Sequence, residues 1–315
     1  MSNVLEDEEQ HLLLRQQLTS LTTESVDVTR PDLDLLSTRE LAESMNKGDS
    51  LIASAIATQL DPISAAVDLL TSGLRSGGRL VYLGAGTAGR IGILDASECP
   101  PTFGTPPELI VGLIAGGEGA IQHSVESSED DQSAAIAELQ RLSLNQRDTV
   151  VGITASGRTP YVMAGLGYAR SVGASVISLS ANRDAEVSKL ADIAIETVVG
   201  PEFISGSTRL KAGTAQKMVL NMLTTITMIK LGKTYHGVMV DLQATNEKLR
   251  ARSENTVISL TGVDPETAAF TLAQANGSVK VAILMLLAGV SASAATLALN
   301  SNNGLLREAL AKLNH

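Results

Sequence analysis

Between residues 79 and 231 the chain alternates short apolar runs, rich in Val, Ile and Leu, with longer segments of helical periodicity. Five of these runs read as strands, at residues 79–83, 109–114, 149–154, 174–179 and 193–197. Strands that alternate with helices are joined by crossovers, so they lie parallel in one sheet that carries helices on both faces. The sequence therefore predicts an α/β fold with a doubly wound, five-stranded parallel sheet in an α/β/α sandwich.

Helical segments flank this alternation. Residues 1–45 hold ten acids and three bases, which supply −7 of the net charge of −10, and residues 1–20 read as a leader with a frayed helix. One helical stretch is expected to begin at Pro31, and another to run over residues 51–74 with an interruption at Pro62. Further helices are expected to start at Asp264 and Ser291. We predict an N-terminal acidic helical segment (1–68), a central sheet domain (69–232) and a small C-terminal helical bundle (248–315).

Three loops rich in glycine and hydroxyl groups lie at residues 84–90, 154–160 and 206–214, and each leads into a helical segment. Such a loop at a helix N-terminus presents free N–H groups and a positive dipole end, which suit a phosphate. The first two loops follow strands, and ligands of doubly wound sheets bind at the carboxyl ends of strands. The candidate phosphate-binding residues are Gly86, Thr87, Ala88, Gly89, Ser156, Gly157, Arg158, Thr159, Ser207 and Thr208.

Each motif also has another interpretation. Gly84, Gly86 and Gly89 match the dinucleotide-binding fingerprint, but the acid expected after the next strand is missing, because that strand runs into Ala115-Gly116-Gly117. The first loop also fits a plain strand-to-helix turn, although Thr87 and Arg90 add polar groups that such a turn does not need. The second loop also fits an ordinary helix N-cap.

Two glutamates lie near these loops in the sequence. Glu98 precedes Pro100-Pro101, and this double proline predicts that the helix ends there and leaves Glu98 at a helix end. Glu129 stands in a cluster of acids, which by itself is typical of a solvated helix start. Both carboxyl groups are suited to general acid–base catalysis. His123 reads as a packed or surface histidine.

Composition excludes several classes of function. With no Trp, three Phe, four Tyr and a net charge of −10, the chain lacks the basic, aromatic surface typical of nucleic-acid binding. No His, Asp or Glu spacing reads as a metal site, and Cys99 is the only cysteine, so we expect no metal. We also see neither a signal peptide nor an apolar run of the roughly 18 to 20 residues that spans a bilayer. These features predict a cytoplasmic protein without a membrane partner.

Longer motifs resemble one family closely. The motifs are GAGT at 84–87, GILDASECPP at 92–101, GLIAGGE at 112–118, SGRTPY at 156–161, KAGTAQK at 211–217 and ATNEKL at 244–249. By these motifs the chain is similar to the N-acetylmuramic acid 6-phosphate etherases over about residues 22 to 300, within the sugar isomerase (SIS) fold group to which the glucokinase regulatory protein is related. The chain departs from the family pattern at Ala88, where a Ser is usual, and at Asp27, where an Asn is usual.

The resemblance implies a fold, a reaction and two catalytic residues. It makes residues 69–232 a SIS domain that binds a sugar phosphate. The reaction cleaves the lactyl ether of N-acetylmuramic acid 6-phosphate to N-acetylglucosamine 6-phosphate and D-lactate, a step of amino-sugar recycling, without metal or organic cofactor. The family's two catalytic glutamates fall on Glu98 and Glu129. Because SIS domains commonly pair, a homodimer is implied, with the helix after Thr208 a candidate for the packed surface.

Three rival functions stay open at this point. A sugar-phosphate sensor without activity would keep the same loops, although the chain is too short for the second SIS domain of the glucokinase regulatory protein. A sugar-phosphate isomerase would use similar carboxylates without releasing lactate, so an assay for lactate separates the two enzymes. A dinucleotide-dependent oxidoreductase would bind its cofactor at Gly84 to Gly89.

Overall fold

The computed structural model describes residues 21–29, 32–241 and 247–314. The predicted leader over residues 1–20, the predicted helix start at Pro31 and residues 244–246 of the ATNEKL motif lie outside the described residues.

A five-stranded sheet forms the centre of the fold. Its strands have the order β2-β1-β3-β4-β5, and β1 with β3, β3 with β4 and β4 with β5 pair in parallel. The predicted α/β fold is confirmed, and every strand lies within one residue of its predicted limits. The strands are β1 (Leu80–Gly84), β2 (Ile110–Ile114), β3 (Thr149–Ile153), β4 (Ser175–Ser180) and β5 (Ile193–Glu196).

Helices precede and separate these strands. They are α1 (Thr38–Asp49), α2 (Ile52–Ala57), α3 (Leu60–Arg75), α4 (Gly86–Phe103), α5 (Gly119–Gln122), α6 (Gln132–Arg141), α7 (Pro160–Ser171) and α8 (Lys211–Lys230), with 3₁₀ turns at Thr22–Glu24, Leu33–Leu35, Ser128–Asp130 and Glu186–Leu190. The break predicted at Pro62 falls instead between α2 and α3. Pro62 is the third residue of α3, where a missing N–H costs little because the first turn has no intrahelical acceptor for it.

The core on one face of the sheet explains why these runs became strands. All five residues of β3 are buried, and α7 packs on the sheet so closely that a Cβ at Gly165 would lie 2.1 Å from Leu83 Cδ2. Branched and aliphatic side chains from both layers fill this core, among them Val81, Leu83, Leu139, Val150, Val162, Leu166 and Val176. Burial of such chains is the main favourable contribution to folding.

The predicted end of α4 was wrong. The helix continues through Pro100 and Pro101 to Phe103, so Glu98 lies within the helix and not at its end. The two prolines remove the amide donors that the carbonyls of residues 96 and 97 would accept in a regular helix. The last turn of the helix closes beyond the two prolines, where the Gly104 amide donates to the Pro100 carbonyl at 2.9 Å.

The C-terminal part is helical, as predicted. Its helices are α9 (Glu247–Thr261), α10 (Pro265–Gln274), α11 (Val279–Ala288), α12 (Ala292–Asn300) and α13 (Leu306–Leu313). The predicted starts at Asp264 and Ser291 are confirmed, because each side chain accepts the amide three residues later. A short hairpin of β6 (Thr234–Tyr235) and β7 (Val238–Met239) was not predicted.

By their contacts the residues form two compact units. Of the described residues, one unit comprises those up to 96 and 111–223, and the other comprises 97–110 and those from 224 onward. The domain limits given above from the sequence stay a prediction. Among the described helices none is by itself long and apolar enough to cross a membrane, although two bent pairs (α1 and α2 with α3, and α10 with α11) meet that test by length and composition.

Candidate active site

The strand order places a crevice between the first two loops. The chain leaves β1 toward β2 on one side and leaves β3 toward β4 on the other, so the crossovers diverge between the neighbours β1 and β3. Doubly wound sheets bind ligands in the crevice at this switch point, outside the carboxyl ends of the strands. The loops after β1 and β3 flank this crevice.

The loop after β1 brings the start of α4 against the sheet. Larger residues than glycine would not fit there, since a Cβ at Gly84 would lie 2.7 Å from the Gly89 amide nitrogen and one at Gly89 would lie 2.6 Å from Ile114 Cγ1. Gly86 is exposed and has a φ of +53°, a conformation that glycine adopts without strain. The backbone at Gly86 is thus open to a ligand, whereas Ala88 and Gly89 are buried and the Gly89 amide donates to the Ala85 carbonyl at 3.3 Å.

The loop after β3 is organised by its own hydroxyl groups. The Thr154 and Thr159 hydroxyls lie 2.7 Å apart, and the Gly157 amide donates to Thr154 Oγ1 at 3.2 Å. The Thr159 side chain makes no capping hydrogen bond to α7 in the described structure, so the loop is not an ordinary N-cap. Because Pro160 begins α7 and the hydroxyls fold back on the loop, the next amides of the first turn are suited to an anion.

Gly157 fixes the path of this loop. Its φ is +79°, and a Cβ there would lie 2.4 Å from Ala185 Cβ. We expect Gly157→Ala to lower the free energy of unfolding by about 1–3 kcal/mol, because alanine strains a left-handed backbone and meets a packed neighbour. Denaturant unfolding would measure the loss, and Gly167→Ala, on a helix with open space around it, is the matched control. If Gly157→Ala were as stable as Gly167→Ala, Gly157 would not be required for the path of this loop.

The third loop differs from the prediction. The Glu202 carboxylate, which is only 2% exposed, accepts from the amides of Lys211 and Ala212 at 2.9 Å each, at the start of α8. The expectation that this helix start offers free amides is therefore wrong, because an internal anion already occupies it. Thr87 of the first loop nevertheless lies against this helix, since a Cβ at Gly213 would be 3.3 Å from Thr87 Cγ2.

Asn182, which sequence analysis missed, joins the second loop to the N-terminal segment. It lies just after β4, is buried, and donates from Nδ2 to the carbonyl oxygens of Ala155 at 3.0 Å and Ser156 at 3.3 Å. Its Oδ1 accepts the Thr22 amide at 2.7 Å, across 160 positions of sequence. A short polar residue after a buried strand was the available signal, but its partner could not be read from the sequence.

Glu129 lies beyond the end of β2. It is exposed on the 3₁₀ turn Ser128–Asp130, which a left-handed Ser127 introduces with a φ of +61°. Gly116 holds this turn close to the strand end, because a Cβ there would lie 3.3 Å from Ser128 Cβ. Asp131 caps α6, and its hydrogen bonds from Ser133 and Ala134 hold its carboxyl pKa below the usual range. Of the acids in this cluster, Asp131 thus caps a helix, whereas Glu129 is an exposed carboxylate on the turn before it.

Arg90 has a structural task in this region. Its Nε donates to the carbonyl of Ile121 at 2.9 Å, and its Nη2 donates to that of His123 at 3.2 Å. The guanidinium therefore ties α4 to the segment that leads to Glu129. His123 is exposed, so of the two alternatives left by the sequence, a packed or a surface histidine, it is the surface one.

Glu98 is exposed on α4, in the unit that includes residues 97–110. Three residues earlier on the helix, the buried Asp95 accepts from the Tyr82 hydroxyl at 2.8 Å and from Asn221 Nδ2 at 2.5 Å. These contacts fix α4 against β1 and α8 just before Glu98. Within the described part of the chain, no three His, Cys, Asp or Glu side chains are grouped so that they could hold a metal ion.

Comparison with known proteins identifies relatives over nearly the whole chain. The family model described as the glucokinase regulatory protein N-terminal SIS domain matches residues 62–170, and the SIS domain model matches residues 129–226. An N-acetylmuramic acid 6-phosphate etherase of Mycolicibacterium smegmatis is 52% identical over 93% of this chain and 98% of its own length. One of Salmonella typhi is 51% identical over 93% of this chain and 99% of its own length.

A solved structure supports the fold alone. A phosphoheptose isomerase from Francisella tularensis superposes with a TM-score of 0.50 at 16% identity, and the match covers 62% of this chain and 100% of that one. It is similar to this chain in its α/β architecture, and its sequence identity is too low to carry an activity.

Proposed function

The chain belongs to the N-acetylmuramic acid 6-phosphate etherase family, and from this membership we propose that it cleaves the lactyl ether of N-acetylmuramic acid 6-phosphate. The products are N-acetylglucosamine 6-phosphate and D-lactate, so the enzyme is a carbon–oxygen lyase of carbohydrate metabolism. The observation that carries the proposal is the identity of about half of the residues with etherases that match it almost end to end. Fold similarity alone would not assign a reaction.

The chemistry is an elimination followed by addition of water. In the open-chain sugar the hydrogen on C2 is acidic because it lies next to the aldehyde. A base removes this proton, the C2–C3 double bond forms, and the C3–O bond breaks as lactate leaves with a proton from an acid. Water then adds its oxygen to C3, and C2 regains a proton. One carboxyl must start ionised and the other protonated for this sequence.

We assign the two carboxyl groups to Glu98 and Glu129. Both are exposed, so both are available to a substrate, whereas Asp95 and Glu202 are buried in hydrogen bonds to the protein. Glu98 is proposed as the acid that protonates the leaving oxygen and Glu129 as the base that takes the C2 proton.

The phosphate is proposed to bind where the first two loops meet the crevice. Its oxygens accept from the backbone of residues 86–88, where Gly89 lets the helix start approach the sheet. They also accept from Ser156 to Thr159 with the Arg158 guanidinium, and at the rim from Ser207 and Thr208. The uncapped start of α7 supports this choice, since the start of α8 already holds a carboxylate. Anchoring a remote phosphate orients the reacting carbons, which is how binding energy contributes to rate.

Two features of the proposal concern the whole protein. We propose a homodimer, because SIS domains commonly pair, and a cytoplasmic location, because a single buried cysteine suits a reducing compartment. Sedimentation equilibrium tests the first, and fractionation of cells tests the second.

The test of the reaction is an assay of the purified protein with N-acetylmuramic acid 6-phosphate in deuterated water. We expect one D-lactate per sugar consumed and deuterium on C2 of N-acetylglucosamine 6-phosphate. Lactate without deuterium would exclude elimination through C2. A ketose product would indicate an isomerase, and binding without turnover would indicate a sensor.

A further inference from the structure

Residues Leu21–Ser25, here called the N-terminal strap, connect the second and third loops. Asn182 binds the strap at one side, through the Thr22 amide at 2.7 Å and the Thr23 hydroxyl at 3.1 Å, and at the same time holds the second loop. Ser205, directly before the third loop, donates from its hydroxyl to the Glu24 carbonyl at 3.1 Å. Thr23 is only 1% exposed, so the strap is part of the fold and not a loose end.

The strap places one carboxylate at the third loop. Glu24 is exposed, and its Oε2 would lie 3.2 Å from a Cβ built on Gly206. Gly206 has a φ of +74° and directly precedes Ser207 and Thr208. A side chain at that position would displace the carboxylate, so glycine both turns the chain and makes room for Glu24.

A carboxylate at the rim of a phosphate site calls for an explanation. It repels a phosphate, so it does not serve to bind that group. An ionised carboxylate only accepts hydrogen bonds, and a sugar next to the phosphate supplies donors in its hydroxyl groups. If the phosphate binds at the start of α7, the sugar carbons next to the phosphate are the ones closest to the third loop. These are the carbons whose hydroxyl groups the Glu24 carboxylate would contact.

Resting on the proposed function, we propose that Glu24 is a specificity-determining residue that accepts a hydrogen bond from the sugar hydroxyl on C4, or from that on C5 once the ring is open, the carbons nearest the phosphorylated C6. Asn182 is the positioning residue for this contact, because it fixes the strap to the second loop. The site thereby distinguishes a sugar phosphate from phosphate alone.

Calorimetric titration of the full chain with N-acetylglucosamine 6-phosphate and, separately, with inorganic phosphate tests this role. We expect Glu24→Gln to weaken binding of the sugar phosphate about 10-fold, since a hydrogen bond to a charged group is replaced by a weaker one. Binding of inorganic phosphate should stay equal or become tighter, because a like charge is removed. Asp34→Asn, an exposed acid on the neighbouring 3₁₀ turn, is the matched control and should change neither affinity.

The outcomes separate this inference from the proposed function. If the unaltered protein releases lactate and Glu24→Gln binds the sugar phosphate as tightly, the role of Glu24 is wrong and the function stands. An equal loss for both ligands would make the strap a structural element only. If the unaltered protein neither binds the sugar phosphate nor releases lactate, the proposed function fails first.

A double variant tests the positioning role. Asn182→Ala should weaken binding of both ligands, because Asn182 also holds the second loop, but it should weaken binding of the sugar phosphate more. Adding Glu24→Gln to it should cost the sugar phosphate little more, because both changes remove the same contact. Fully additive losses would contradict a shared role.

Discussion

Replacing either of the glutamates proposed as catalytic, Glu98 or Glu129, by glutamine is expected to reduce kcat for lactate release by about 10²- to 10⁴-fold, the usual contribution of a general acid or base. Glutamine keeps the size of the side chain and its hydrogen-bonding capacity but can neither accept nor deliver the proton. Since Glu98 and Glu129 are both exposed, the free energy of unfolding should change by no more than about 0.5 kcal/mol. Steady-state kinetics and denaturant unfolding of Glu98→Gln and Glu129→Gln measure the two quantities.

Neighbouring glutamates supply the controls. Glu126 lies in the same acid cluster as Glu129, and Glu108 lies in the segment that follows α4; both side chains are exposed. The control variants are therefore Glu126→Gln and Glu108→Gln. We expect these variants to keep the rate of the unaltered enzyme. Full activity in Glu98→Gln or Glu129→Gln would remove that residue from the mechanism.

Hydrogen exchange on the product distinguishes the acid from the base. With N-acetylglucosamine 6-phosphate in deuterated water, only removal of the C2 proton is needed for exchange, and no group has to leave. Glu98→Gln should therefore still exchange this hydrogen, whereas Glu129→Gln should not. The opposite pattern would exchange the two roles, and loss of exchange in both variants would mean that each carboxyl takes part in proton removal.

The sheet was predictable from the sequence because its determinants are local. Short apolar runs bounded by Gly and polar loops define β1 to β5, and the strand ends then fix which loops face the crevice. The hairpin of β6 and β7 escaped prediction because strands of two residues are too short to show an alternation. The path of α4 through Pro100 and Pro101 was missed because proline usually ends a helix, whereas here the hydrogen bonding resumes with the Gly104 amide and the Pro100 carbonyl.

The site was predictable only in part. Glycine and hydroxyl content indicated the first two loops, but the anion at the third helix start is Glu202, which lies nine residues before Lys211 and belongs to no local capping pattern. Asn182 and Glu24 act through contacts that join distant parts of the chain, and periodicity carries no information about such pairs. The role of Glu129 came only from the family resemblance, because an exposed acid in an acid cluster is by itself uninformative.

The largest loss of stability is expected from a change at Asp148, which lies at the amino ends of the strands, opposite to the crevice. This carboxylate is 1% exposed just before β3, and it accepts from the Arg79 amide at 2.9 Å, from Arg79 Nη2 at 2.7 Å and from the Asn145 amide at 3.0 Å. It thus joins the starts of β1 and β3, the two strands whose opposite ends flank the crevice. Asp148→Ala should lower the free energy of unfolding by about 3–5 kcal/mol, because it leaves a partly buried guanidinium and two amides without their acceptor.

Denaturant unfolding measures this loss, and Asp49→Ala is its control. Asp49 is exposed at the last residue of α1, where an acid meets the negative end of the helix dipole, so its removal should change stability by no more than about 0.5 kcal/mol. If Asp148→Ala unfolds at the same denaturant concentration as the control, the carboxylate does not hold the two strand starts together.

The same contact predicts how stability depends on pH. Burial by itself would raise the pKa of the Asp148 carboxyl, but the hydrogen bonds from Arg79 and Asn145 outweigh it and hold that pKa below the usual range. A carboxyl whose pKa is lower in the folded state contributes stability that is present above its unfolded pKa of about 3.9 and is lost as the pH falls through the folded value. The stability advantage of the unaltered protein over Asp148→Asn should therefore be constant near neutral pH and shrink below about pH 4. A difference that stays the same down to about pH 2 would mean that shape, and not charge, accounts for the contribution of Asp148.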